Sequence, residues 1–165
     1  MNLLHRRENV QMPDPELRPA YSYRDDPRVP SFDDTAPVVV MDGDCALCAF
    51  GARMINRYDS GRTIRICRSQ SALGSSLLNH YGLVPDDPES WLLIADGHGL
   101  TSMDAVIHLG AVVRGPGLAL QGLRVIPRGL RDWIYRRIAR NRYRLFGRAD
   151  LCGIPDPGLQ ERLLE

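Results

Sequence analysis

The stretch VVVMDGDCALCAFGARM, residues 38–54, decides the fold. Val38, Val39, Val40 and Met41 form a short continuous apolar run, the pattern of a strand buried on both faces. Asp42-Gly43-Asp44 breaks that run. From Cys45 the spacing turns helical: Leu47, Phe50, Met54 and Tyr58 recur every three or four residues until Asp59-Ser60-Gly61 stops the helix. Cys45 and Cys48 thus fall in the first turn of a helix that follows a buried strand. Three chemistries compete for that arrangement: a redox dithiol, a pair of metal ligands, and the aspartate loop of a phosphatase.

Working outward, residues 63–67 read as a second strand, with Ile64 and Ile66 alternating against Arg65, and residues 72–81 as a helix ended by Gly82. After the turn Pro85-Asp86-Asp87-Pro88, residues 90–95 predict a third strand. Asp96-Gly97-His98-Gly99 signals a hairpin into a short fourth strand near Leu100 and Thr101. Ser102 is placed to cap a helix with Val106, Ile107, Gly110, Ala111 and Val113 on one face. Further helices are expected over 118–125 and 128–145, separated by Pro127. The fold class is α/β, a thioredoxin-like β-α-β-α-β-β-α core with additional C-terminal helices. Residues 1–36 hold Pro13, Pro15, Pro19, Pro27 and Pro30 among many charges and read as a disordered or loosely packed leader. The domain is assigned to residues 37–155, and residues 156–165 are read as a tail.

A chain of 165 residues suits one domain, and 44% hydrophobic with 25% charged residues is ordinary for a globular protein. The net charge is +1, yet all 21 basic residues are arginine. Lysine chemistry, whether Schiff base, general base or phosphate ligand, is therefore excluded. No run of about 18 apolar residues exists to form a spanning helix. The first residues lack the unbroken apolar segment of a secretory peptide. A cytoplasmic location is expected, where a reducing thiol pool makes a CxxC pair catalytic or metal-binding rather than a structural bridge.

The redox reading has a physical basis, because free N–H groups and the dipole at a helix start stabilise a thiolate. Cys45 is the expected nucleophile, and Cys48, three residues on along the same face, is expected to resolve the mixed disulfide. Asp42 either accepts the Cys48 proton or accepts turn hydrogen bonds. Asp44, beside Cys45, raises that thiol's pKa unless it turns away to cap the helix. Zinc needs four ligands, whereas Cys67 and Cys152 stand alone and His80, His98 and His108 lack ligand spacing, so no metal site is assigned. Asp42-Gly43-Asp44 partly resembles the opening motif of haloacid dehalogenases. Ala46 stands where that motif has Thr or Val, and the lysine those enzymes use is missing. An acyl-transfer Cys45–His pair finds no histidine selected by local pattern.

The ordered set Asp42-Gly43-Asp44-Cys45-Ala46-Leu47-Cys48, Gln70-Ser71, Ser102-Met103-Asp104-Ala105 and Arg142-Tyr143-Arg144-Leu145-Phe146-Gly147-Arg148 resembles the DCC family of predicted thiol-disulfide oxidoreductases. The likeness runs from about residue 37 to 155. It implies a thioredoxin-like fold with Asp42, Cys45 and Cys48 as the motif residues and adds little about substrate; the reading as a whole is of an oxidoreductase acting on a protein disulfide or small thiol, with no cofactor expected. True thioredoxins place a cis proline directly before the third strand, while here Pro88 is followed by Glu89 before Ser90. Glutathione-using relatives of the fold place Ser or Asp where this chain has Ser102 and Asp104, which makes both candidate substrate-binding residues for a glutathione-like thiol. A helix cap is the simpler role for them.

Arg131, Arg136, Arg137, Arg140, Arg142, Arg144 and Arg148 flank an apolar face built on Ile134, Ile138 and Leu145. The segment is read as an amphipathic helix docked on the core, with no nucleic-acid partner expected. Contact with an anionic membrane surface or RNA is the alternative. Cys67 and Cys152 are expected to be bystanders. The rival to an oxidoreductase is a non-enzymatic thioredoxin-like binding or redox-sensing module.

Overall fold

The sheet is built around β1 (Val38–Met41), whose four residues are all buried. In the computed structural model, residues 18–86, 89 and 91–164 are described. Val39 and Met41 enter one hydrophobic cluster, and Val38 and Val40 enter a second on the opposite face. This two-sided burial is why the run is apolar without alternation.

β1 is followed by α1 (Ala46–Tyr58), β2 (Arg65–Arg68), α2 (Ala72–His80), β3 (Leu92–Ala95), β4 (His98–Thr101), α3 (Ser102–Val113), α4 (Arg128–Phe146), α5 (Pro157–Gln160) and β5 (Leu163–Leu164). The strand order is β4-β3-β1-β2-β5. β1 pairs in parallel with β2 (Val39 opposite Ile66) and antiparallel with β3 (Val39 opposite Leu93). The β3–β4 hairpin turns at Asp96 and Gly97, both at positive φ, as a two-residue turn between twisted strands demands. Parallel β1 and β2 joined through α1, then α2 leading into the antiparallel β3–β4 hairpin and α3, give the thioredoxin-like α/β fold expected from the sequence.

Several boundaries differ from expectation. β2 starts at Arg65, two residues later than read, and β3 at Leu92. Thr101, not Ser102, holds the capping position of α3, without a side-chain cap bond, and Ser102 opens the helix at φ 55°. The helix expected over 118–125 is a 3-10 helix spanning Gly115–Val125. It packs so closely on α3 that a Cβ on Gly110 would lie 2.6 Å from the Gly117 carbonyl oxygen. On α1, the expected stripe of Leu47, Phe50, Met54 and Tyr58 is not the core face. Cys48, Ala49, Ala52 and Ile55 are the buried residues, and the stripe lines an open apolar groove of about 430 Å³ together with α3 and the 3-10 segment.

Of the stretch read as leader, residues 1–17 lie outside the described residues. Beyond them a 3-10 turn, Ser22–Asp25, buries Tyr23 in the second cluster, its hydroxyl donating to Asp34 at 2.8 Å. The stretch read as tail adds β5 parallel to β2 and buries Arg162, which donates to Asp59 at 2.6 Å. Two residues of strand carry too little periodicity to be read in advance. Pro88, the candidate for the thioredoxin proline position, lies outside the described residues. Among the described residues no helix is long and apolar enough to cross a membrane.

Candidate active site

Cys45 ends the loop after β1 in an extended conformation and is itself the cap of α1, its sulfur accepting the Cys48 N–H at 3.4 Å. The helix start therefore presents its unpaired donors to sulfur rather than to a hydroxyl or carboxylate. A hydrogen bond from the Cys48 thiol, outweighing the cost of burial, and the backbone N–H groups of Cys48 and Leu47 pull the Cys45 pKa down to about 6, with help from the positive charge of Arg142. The same partnership, with burial added, pushes Cys48 well above the ordinary thiol range. The Trp91 indole N–H donates to the Cys48 sulfur at 3.2 Å, and the Trp91 backbone N–H to the Tyr135 hydroxyl at 3.2 Å. One sulfur is thus set up to hold charge and the other to hold a proton.

Asp42, 1% exposed at the end of β1, is the hub beneath the pair. One carboxylate oxygen accepts the Asp44 N–H at 3.0 Å and the Gln70 amide at 2.8 Å. The other accepts Arg142 at 2.9 Å and the Tyr143 hydroxyl. Burial opposes the charge, yet these donors together hold the Asp42 pKa below the usual carboxylate value. Gln70 also accepts the Gly43 N–H at 3.0 Å, fixing the loop that delivers Cys45. Arg142 and Arg148 stack over the Tyr143 ring, their guanidinium carbons 4.6 and 4.7 Å from its centre.

The segment after α4 then lies along the Cys45 loop. Ala46 donates to Gly147, Ala149 to Asp44 and Leu151 to Gly43 at 2.8–3.3 Å, and Cys45 bridges Arg148 in antiparallel fashion. A cavity of about 270 Å³ reaches the site. Cys48, Asp42, Glu89, Arg142 and Tyr135 line it together with the apolar side chains of Leu47, Trp91, Met103, Val106, Ile138, Ala139 and Phe146.

Asp42, Cys45 and Cys48 are brought together as expected from the sequence. Ser102 and Asp104 are not brought to them. Asp104 pairs with Arg131 at 3.0 Å and Arg128 at 3.4 Å beside a separate hollow, and it is their neighbours Met103 and Val106 that line the cavity. The reason is geometric, since α3 turns residues 103 and 106 toward the cavity and 104 and 108 away. Cys67 belongs to the cluster on the other face of the sheet. His80 is held between Ser22 at 3.0 Å and Asp26 at 2.9 Å, His98 is exposed, and His108 shares the hollow of Asp104. Asp44 is exposed and leaves the cap to Cys45.

A model of the DCC1-like thiol-disulfide oxidoreductase family matches residues 39–148, a span that opens in β1 and closes on Arg148 at the Cys45 loop. The chain belongs to the DCC1-like family. It is 35% identical over 127 residues to the uncharacterized protein YuxK of Bacillus subtilis, covering 77% of this chain and 93% of that one. It is 34% identical over 121 residues to a chloroplastic DCC family protein of Arabidopsis thaliana, covering 73% of this chain and 70% of that one. No solved structure matches significantly.

In this DCC1-like chain, sequence reasoning missed Trp91, Tyr135, Gln70, Arg142 and Tyr143 as parts of the site. Gln70 and the Arg142-Tyr143 pair stood within the stretches that carried the family resemblance, and that was their only signal. Trp91 and Tyr135 had none beyond being aromatic. Arg142, read only among the arginines flanking the apolar face of the C-terminal helix, is 6% exposed and paired to a carboxylate 100 residues earlier.

Proposed function

We propose that this chain is a thiol-disulfide oxidoreductase that cycles Cys45 and Cys48 between dithiol and disulfide. The observation that carries the reading is the Cys45 sulfur standing as helix cap, accepting the Cys48 N–H, with its pKa drawn to about 6. A low-pKa thiolate is a good leaving group when the disulfide is opened, and it is ionised for the step that closes the disulfide. Cys48 is the partner sulfur. Its proton stays in place until the Cys45 charge is neutralised, because two adjacent buried thiolates repel.

Asp42 acts as a positioning residue. Held ionised by Tyr143, Asp44, Arg142 and Gln70, it is a weak base, and its contribution is to fix Arg142 and the Asp42–Asp44 loop around Cys45. Thiols and disulfides are the substrates that this chemistry implies. The reading suits a reducing compartment such as the cytoplasm, where the resting form is the dithiol.

The test is catalysed exchange: purified protein with a chromogenic disulfide, followed by thiol release under a glutathione supply. Turnover that is lost in both Cys45→Ser and Cys48→Ser is expected. Turnover unchanged in either variant contradicts the dithiol cycle.

A further inference from the structure

The two sulfurs are not equally reachable. Both are buried, Cys45 at 0% and Cys48 at 1% exposure, but only Cys48 is part of the cavity wall. On the Cys45 side, Gly43, Asp44 and Ala46 already use their backbone groups in bonds to Gly147, Ala149 and Leu151. An extended peptide that sought to pair beside Cys45 would find those donors and acceptors taken by the chain's own segment. The cavity at Cys48 is about 270 Å³, near the lower end of the ~300–1,000 Å³ of small-molecule pockets, and narrow for a folded protein's disulfide. The apolar groove of about 430 Å³ shares Leu47, Trp91 and Val106 with it, so the apolar surface continues away from the sulfur.

We infer that substrate engages Cys48 and not Cys45, and that it is a low-molecular-weight disulfide, or the corresponding thiol, bearing an apolar or aromatic arm that lies against Trp91 and Leu47. This rests on the dithiol cycle proposed above and reverses the order of attack expected from the sequence. For a disulfide RSSR, Cys48 passes its proton to the Cys45 sulfur to which it is hydrogen-bonded and attacks one sulfur of RSSR. The Cys48–SR bond forms, the S–S bond of RSSR breaks, and RS⁻ leaves with the bonding pair and takes the proton from Cys45. The Cys45 thiolate then attacks the Cys48 sulfur, forming the Cys45–Cys48 bond and expelling the second RS⁻. The substrate is reduced by two electrons and the dithiol oxidised by two. In reverse, a small thiol opens the disulfide at Cys48, and the sulfur that departs is the low-pKa Cys45, the better leaving group.

The experiment uses the full chain and 4,4′-dithiodipyridine, a neutral aromatic disulfide, with the labelled cysteine located by peptide mass mapping. Cys45→Ser is expected to gain its thiopyridyl adduct on Cys48 about tenfold or more faster than Cys48→Ser gains one on Cys45, although the latter sulfur ionises more readily. Met103→Trp, which fills the cavity, is expected to slow labelling of Cys48 about tenfold. In that variant the buried Cys67 reports on folding and the half-exposed Cys152 on general reactivity, and both are expected to keep their wild-type rates. Wild type is expected to reduce the aromatic disulfide at least about tenfold faster than oxidised glutathione or insulin. Faster labelling at Cys45, or insulin reduced as readily as the aromatic disulfide, overturns the inference and leaves the dithiol cycle standing. Wild type that labels at Cys48 but never forms the Cys45–Cys48 bond overturns the cycle itself.

Discussion

Replacing Arg142 with methionine, which keeps much of the side chain's length and removes its charge, isolates what the buried ion pair does. Asp42 is 1% exposed and accepts from Asp44, Gln70, Arg142 and Tyr143, so the substitution strips one of four donors and the only neutralising charge among them. Removing one partner of a buried pair costs about 3–5 kcal/mol, because the other charge is left uncompensated in a low dielectric. The three surviving donors favour the lower end, about 3 kcal/mol. For a domain of this size that corresponds to a fall in Tm of roughly 6–12 °C.

The loss depends on pH with a definite sign. The folded pKa of Asp42 lies below its unfolded value, so its contribution is present above about pH 4 and disappears as pH falls through the folded pKa. The gap between wild type and Arg142→Met is therefore expected to narrow on acidification. The assay is urea unfolding of reduced protein at neutral and acid pH, with Asp42→Asn and the double variant completing a cycle. Additive single costs, or a destabilisation below about 1 kcal/mol at neutral pH, would refute the view that Asp42 and Arg142 act as one buried unit.

Other outcomes follow from the same geometry. With Cys45 at about 6 against roughly 8.5 in the unfolded chain, the reduced protein is expected to gain stability as pH rises between those values; Cys45→Ser flattens that slope in denaturant titrations. Above about pH 8.5 the raised pKa of Cys48 reverses the trend, because only the unfolded chain then loses that proton readily. Trp91→Phe removes the indole N–H bond to Cys48, which lowers that thiol's pKa, so thiolate absorbance for Cys48 is expected to appear at still higher pH. Arg162→Met leaves Asp59 buried beneath β5 without its charge partner, an expected loss of about 3–5 kcal/mol by thermal unfolding.

The sequence carried the fold where local patterns are physically obligatory. Four buried residues in β1 had to read as an unbroken apolar run, and Asp96-Gly97 had to supply positive φ for the hairpin. The cysteines had to sit at a helix start because Asp42-Gly43-Asp44 cannot continue either element. Features made across long separations left no such trace. Arg142 meets Asp42 through tertiary packing, and nothing in the spacing of the α4 arginines distinguishes it from the solvated ones. The stripe on α1 was seen, but periodicity cannot tell a core face from a groove face, and here it lines the groove. At Thr101–Ser102 the cap falls one residue earlier than read, and Met103 rather than Asp104 lines the cavity at Cys48, a choice of helix face that the residue types do not reveal.

In the proposed cycle, Cys45 and Cys48 form one reversible redox unit. Wild type, Cys45→Ser and Cys48→Ser would be equilibrated across a graded series of reduced and oxidised glutathione, alkylated, and weighed by mass spectrometry after digestion. A reversible two-proton mass difference confined to the peptide holding Cys45 and Cys48, present only in wild type, is the expected result. Two thiols that alkylate independently at every glutathione ratio would contradict it.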